Sequence, residues 1–181
     1  MSNAASVTPD DEAVFTAMEA YLTGILPAGV QIFRGLPNRS SMPPKRPGFV
    51  VMTPLFKDRL NMPVHSWDTS GPEAPTESTV EQGIDLPVQI DVYGPYAFAW
   101  ADIITTTFED DYGFQALGPN CEPLYANEAR MMPLTDEEKQ YEQRWSIDAH
   151  LQYNPVVTIP QQFADTLGPV DMVDVNVEFP T

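Results

Sequence analysis

The clearest pattern in the chain is Trp145-Ser146-Ile147-Asp148-Ala149-His150-Leu151-Gln152-Tyr153, where apolar and polar residues alternate without a break. A period of two puts the five apolar side chains on one face of a strand and the four polar ones on the other. Nine residues at about 3.3 Å each reach roughly 30 Å, enough to cross the sheet of a small domain. A second alternation runs from Leu86 to Tyr93, with Val88, Ile90 and Val92 opposed to Gln89, Asp91 and Tyr93. Gly94 breaks it, and Pro95 stands where a helix can begin.

Two stretches carry the helical period instead. Val14, Phe15, Met18, Tyr21, Leu22 and Ile25 recur every three or four residues and form one packing stripe. Thr8 is the expected N-cap, Pro9 the first helical residue, and Asp10, Asp11 and Glu12 face the positive end of the dipole. Pro27 stops this helix. Ala97, Trp100, Ala101, Ile104, Phe108 and Tyr112 make a second stripe, with Gly113 as the expected C-cap. Glu109, Asp110 and Asp111 then crowd its last turn, where the dipole disfavours each exposed negative charge by about 0.3–1 kcal/mol. Either solvent and salt compensate, or the basic loop at 34–46 of a neighbouring copy does.

Shorter extended segments are expected at 30–33, at 49–56 (strongly buried, with Pro54 ending it or marking an edge), at 124–126 and at 155–160. Residues 136–144 read equally as a helical turn or as a strand entry. A short helix at 161–167 stops at Gly168-Pro169, and Val173, Val175, Val177 and Phe179 alternate with acids in a last strand. Residues 66–83 are polar and rich in Gly, Pro, Ser and Thr, reading as a mobile loop or a protruding hairpin that can reach a neighbouring subunit. The sum is an α+β chain: one domain over 1–181, an antiparallel or mixed β-sheet covered by helices on one face, an insertion at about 66–83 and a C-terminal strand at about 170–179.

Composition fits a folded domain: 181 residues, 43% hydrophobic and 10% aromatic. No apolar run approaches the roughly 20 residues that span a bilayer. The N-terminal residues lack the basic and apolar regions of a secretory signal, and the lone Cys121 gives no intrachain disulfide, so a cytoplasmic product is expected. Charge changes the picture more. Nine basic residues face 26 acidic ones, a net −17. Residues 31–60 hold Arg34, Arg39, Lys45, Arg46, Lys57 and Arg59 against Asp58 alone, a local +5 that leaves −22 elsewhere. Such a chain repels nucleic acid, and complementary patches on identical subunits can meet. The expected inter-subunit or partner contacts are therefore Arg34, Arg39, Lys45 and Arg46 on the basic side, and Glu109, Asp110 and Asp111 on the acidic side.

Chemistry adds little. There is no phosphate-binding loop, dinucleotide glycine pattern, HExxH or zinc spacing, so no cofactor, metal or catalytic residue is expected. Asp148 and His150 share a strand face, but i,i+2 neighbours stand roughly 7 Å apart, beyond direct hydrogen bonding unless rotamers lean together. Nothing in the sequence places a histidine beside Cys121. Gln89, Asp91 and Asp148 are expected to line up on adjacent strands as a polar face.

Several of these segments together resemble a known family. FVVMTPL at 49–55, VQIDVYGP at 88–95, PLYA at 123–126, EKQYEQRW at 138–145 and DAHLQYNP at 148–155 are similar to the neck or tail terminator proteins of tailed bacteriophages, over about residues 14–167. The resemblance implies a tail-terminator-like α+β domain closing into a ring, typically sixfold, at the head–tail junction of the virion and assembled in the host cytoplasm. Its partners would be further copies of itself and the tail tube or head connector. No catalytic residues carry over. The ring would cap the tube or join it to the connector, and six copies at −17 would give about −102 around a channel through which DNA passes without specific binding. Another virion adaptor (a head-completion or tail-tube protein), a non-viral binding module and a small hydrolase are the alternatives.

Overall fold

The computed structural model describes residues 5–35, 43, 46–67, 77–135 and 141–160. In chain order it contains β1 (Ser6–Thr8), α1 (Asp11–Ile25), β2 (Gln31–Arg34), β3 (Phe49–Pro54), β4 (Asp58–Arg59), β5 (Val64–Trp67), β6 (Glu77–Glu81) and β7 (Ile84–Tyr93). There follow α2 (Ala97–Phe108), α3 (Asp111–Leu117), a 3-10 turn at Gly118–Asn120, β8 (Glu122–Ala126), β9 (Arg130–Met131), β10 (Leu134–Thr135), β11 (Tyr141–Glu142), β12 (Arg144–Tyr153) and β13 (Val156–Pro160). The expected helix at 161–167 and strand at 173–179 lie outside the described residues.

The two alternating segments become β7 and β12, paired antiparallel along their whole length, from Arg144 opposite Tyr93 to Tyr153 opposite Ile84. This register brings Val88, Ile90 and Val92 onto the same face as Ile147, Ala149 and Leu151, all fully buried. They form the centre of a mixed sheet ordered β2-β3-β7-β12-β8, in which β2 and β3 run parallel and the other pairs antiparallel. Val14, Met18, Tyr21 and Leu22 of α1, Trp100, Ile104 and Phe108 of α2, and Leu117 of α3 join the same core. The fold is α+β, with the helices on one face of the sheet.

Local chemistry explains where the helices begin and end, and it corrects three expectations. Thr8 is not the cap. It is drawn into β1 opposite Val156, and Asp10 caps α1 instead, its carboxylate accepting from Ala13 N at 2.9 Å. Leu55 and Phe56 are not buried: β3 ends at Pro54, and both side chains beyond it are exposed. Gly113 does not cap α2. That helix stops at Phe108, and Gly113 sits inside α3, where a Cβ would come within 2.2 Å of the Phe108 carbonyl oxygen. Glycine there lets α3 fold tightly back on the end of α2.

The close turn at Gly94 has a similar cause. Its φ is +118°, and a Cβ would lie 2.8 Å from the Gly48 Cα, where the chain enters β3 beside the end of β7.

A second sheet, ordered β1-β13-β6-β5, was not anticipated. Its strands are short and mostly polar or exposed, so they lack the alternation that marks β7 and β12. Residues 66–83 supply the end of β5 and all of β6. Trp67 faces Ser78 and Ser66 faces Thr79 in an antiparallel pair, with residues 68–76 outside the described ones. In the 136–144 region, β10 and β11 pair antiparallel and lead directly into β12, with residues 136–140 undescribed.

Candidate interaction surface

The face of the main sheet opposite the helices carries the polar half of both alternations. Cross-strand register sets Asp91 opposite Ser146 and Gln89 opposite Asp148, the alignment expected from the two strand patterns. Toward one end of the strand pair Arg144 grips Asp91 with two hydrogen bonds, Nε donating to Oδ1 at 3.1 Å and Nη2 to Oδ2 at 2.7 Å. The Gln89 amide donates to the same carboxylate at 3.0 and 2.9 Å. A forked guanidinium fits a planar carboxylate in this two-point way, which fixes direction as well as charge. The Asp91 hydrogen bond raises the Arg144 pKa further. Burial, then the Asp91 charge, raises that of Tyr93, whose ring lies 5.7 Å from the Arg144 guanidinium carbon. Phe49 stacks on Tyr93 at 4.5 Å, continuing the surface onto β3.

His150 lies further along β12. Its Nδ1 is 3.0 Å from both oxygens of Asp85, and its ring stacks on Tyr125 of β8 at 4.2 Å. An ionised carboxylate only accepts, so Nδ1 carries the shared proton. Asp148, the neighbour considered from sequence, makes no such bond; Asp85 takes its place. Asp85 lies outside the alternation that starts at Leu86, because β7 begins two residues earlier, at Ile84. Among the described residues no serine or cysteine side chain is hydrogen-bonded to the His150 ring, and no group of three or more His, Cys, Asp or Glu is placed to hold a metal ion. The pair ties β7, β12 and β8 together.

Cys121 is buried, and burial pushes its thiol up to about 11. Burial likewise pushes the Tyr21 hydroxyl to about 12, although its contact with Thr107 works in the other direction. Both groups hold their protons more tightly folded than unfolded. Their contribution to stability is therefore complete below pH 9 and is lost as pH rises toward 11 and 12. A thiol reagent at pH 8 should accordingly label Cys121 slowly in the native chain and at once in denaturant. Equal rates in both states would show that the thiol is not enclosed.

The charged candidates separate. Arg34 is engaged within its own chain, bonding to Asp11 and, at 3.2 Å, to Glu12, with its guanidinium 4.3 Å from the Phe15 ring centre. It holds the Asp11 carboxyl below its usual value and clamps the start of α1 to the end of β2. Arg46 is exposed in a turn and meets no acid among the described residues. Arg39 and Lys45 lie outside those residues.

The three acids sit at the break between α2 and α3, not in the last turn of a longer helix. Asp110 takes the N-cap position of α3 and Asp111 its first turn, where the dipole favours negative charge. Asp111 accepts from Gln115 at 2.6 Å, and Glu109 accepts from the Ala126 amide of β8 at 2.8 Å. All three are exposed, and none meets a cation among the described residues.

A family model described as phage neck terminator protein matches residues 12–180. Among curated proteins no relative is found. Among solved structures the chain is similar to the sheath/tube terminator of an extracellular contractile injection system (PVC) in its extended state, at 14% identity and a TM-score of 0.39. That match covers 96% of this chain and 65% of the other, so this chain spans just under two thirds of its length. With the family match running from the first turn of α1 through every described element after it, the chain belongs to the phage neck terminator proteins, structural components of the phage neck and tail.

Proposed function

We propose that the protein forms a ring at the head-proximal end of a phage tail, where it ends the tail tube or joins it to the head connector, and that it acts through binding surfaces without catalysis. The observation that carries this reading is the family match over residues 12–180. Two further features support it. A sheet with helices on one side only leaves its other face for neighbours, and that face is held rigid by the Asp91–Arg144 and Asp85–His150 pairs. The net charge of −17 per copy suits a channel wall along which DNA slides without sticking.

The test is the mass of the full chain by light scattering, alone and mixed with tail-tube subunits of the same phage. A ring mass, six copies in the simplest case, is expected in at least the mixture, together with labelled density at the neck in electron micrographs of particles. A chain that stays monomeric in both conditions and binds neither tube nor connector would refute the proposal. Co-purification with portal or with tube subunits separates a tail terminator from another adaptor of the same virion.

A further inference from the structure

β2 pairs with β3 only as far as Met52, and β3 continues to Pro54 against β7 alone. β4 pairs with the start of β7 on the side away from β12, and β5 pairs with β6 at the margin of the second sheet. Residues 55–67 therefore supply β4 at the margin of the main sheet and β5 at the margin of the second, neither with a further strand beyond it among the described residues. Edges of this kind are usually blunted by proline and charge, and Pro54 and Pro63 fit that role. Lys57, Asp58 and Arg59 fit it as well, but the apolar side chains do not. Phe56 is 53% exposed, Met62 86%, Val64 61% and Trp67 56%, and Leu55 and Leu60 are exposed as well. Six large apolar side chains exposed within thirteen residues are a density of the kind that marks a contact with another molecule.

The exposed charges of this edge are Lys57 and Arg59, with Asp58 between them. Lys57 and Arg59 are exposed, and neither meets a carboxylate among the described residues, although the chain as a whole carries −17. Lys57 rests over the Tyr153 ring at 5.4 Å. Both cations stand beside a groove of about 400 Å³ between the two sheets, floored by Val80, Ile84, Tyr153 and Val157. The complementary charge lies on the same chain at the other side of the main sheet. The α2–α3 junction is bonded through Glu109 to β8, the last strand in the order β2-β3-β7-β12-β8. There Asp110 and Asp111 are exposed and meet no cation among the described residues, next to the exposed rings of Tyr112 and Phe114.

We infer that the edge at residues 55–67 seats a second copy of this chain, which presents its α2–α3 junction so that Asp110 and Asp111 meet Lys57 and Arg59. Two unlike patches at opposite margins of one subunit give a head-to-tail contact, the type that closes into a ring. The inference rests on the ring reading above and assigns it an interface.

The experiment is a charge exchange in the full chain, read by assembled mass, with folding checked by circular dichroism. K57E/R59E and D110K/D111K should each weaken association at least tenfold, and combining all four substitutions in one chain should restore the ring. Glu109 is left unchanged because its carboxylate serves the Ala126 amide. Met62→Asp, placed on the most exposed of these side chains, is an independent arm and should also weaken association. Rings that persist in both charge reversals, or a fourfold variant that remains dissociated, would overturn this interface while leaving the ring itself intact. A wild-type chain that never assembles, with or without tube subunits, would overturn the ring and the interface together.

Discussion

Replacing Phe108 by alanine is expected to lower the stability of the monomer by about 3–5 kcal/mol, the range for deleting a large aromatic side chain from a closed core. Phe108 is the last residue of α2 and fully buried. Its ring meets the Tyr21 ring edge-on, with centres 5.9 Å apart, a geometry worth about 0.5–1.5 kcal/mol beyond area alone. Tyr21 is held in turn by its hydroxyl, which donates to the Ile104 carbonyl at 3.1 Å and lies 2.9 Å from the Thr107 hydroxyl. The cavity left by Phe108 cannot close easily, because the carbonyl of the same residue is pinned beneath Gly113. Phe114→Ala, at an exposed ring six residues further along the chain, should cost within about 0.5 kcal/mol. Urea unfolding at concentrations where the chain is monomeric measures both. Equal losses would mean that α1 and α2 do not share this core.

Asp91→Ala is the second large effect, expected at about 2–3 kcal/mol. Removing one member of a buried ion pair costs about 3–5 kcal/mol because the other charge is left uncompensated, and the lower figure allows for Arg144 reaching water. The Arg144 side chain is 22% exposed against 7% for Asp91. The substitution also removes both acceptors of the Gln89 amide. Arg144→Met on the Asp91→Ala background should recover part of the loss, since it removes the stranded guanidinium while keeping the apolar stem that packs beside Tyr93. A double-mutant cycle in thermal or urea unfolding reads this coupling. A double variant no more stable than Asp91→Ala, or an Asp91→Ala variant as stable as the parent, would show that the pair contributes nothing to the fold.

The elements legible in the sequence are those whose burial is set by their own period. The α1 stripe and the inward faces of β7 and β12 follow from apolar spacing alone, because each helix face or strand face must be covered by something. What failed were the points where a local signal met a distant partner. Thr8 has the chemistry of a cap, yet strand pairing with Val156 took it and left the role to Asp10. Gly113 has the chemistry of a helix stop, yet its lack of a side chain serves contact with Phe108. Glu109, Asp110 and Asp111 looked unfavourable at the end of one helix because the break that makes two of them the start of another is a product of that packing.

The interaction surface divides in the same way. Its acidic and basic residues are visible as a charge imbalance, but which cations remain free is decided by tertiary contacts. Arg34, the first of the expected basic contacts, is taken by Asp11 and Glu12 of its own chain, while Lys57 and Arg59 meet no acid among the described residues. The sequence by itself determined the two long strands, their buried and polar faces, the helical stripes and the net charge, because these depend on side-chain identity and spacing along the chain. Only the tertiary structure decided that Asp85, not Asp148, holds His150, that four short strands form a second sheet, and that an apolar edge and an acidic junction stand at opposite margins. Those facts depend on register and pairing between residues far apart in the chain, which no local pattern encodes.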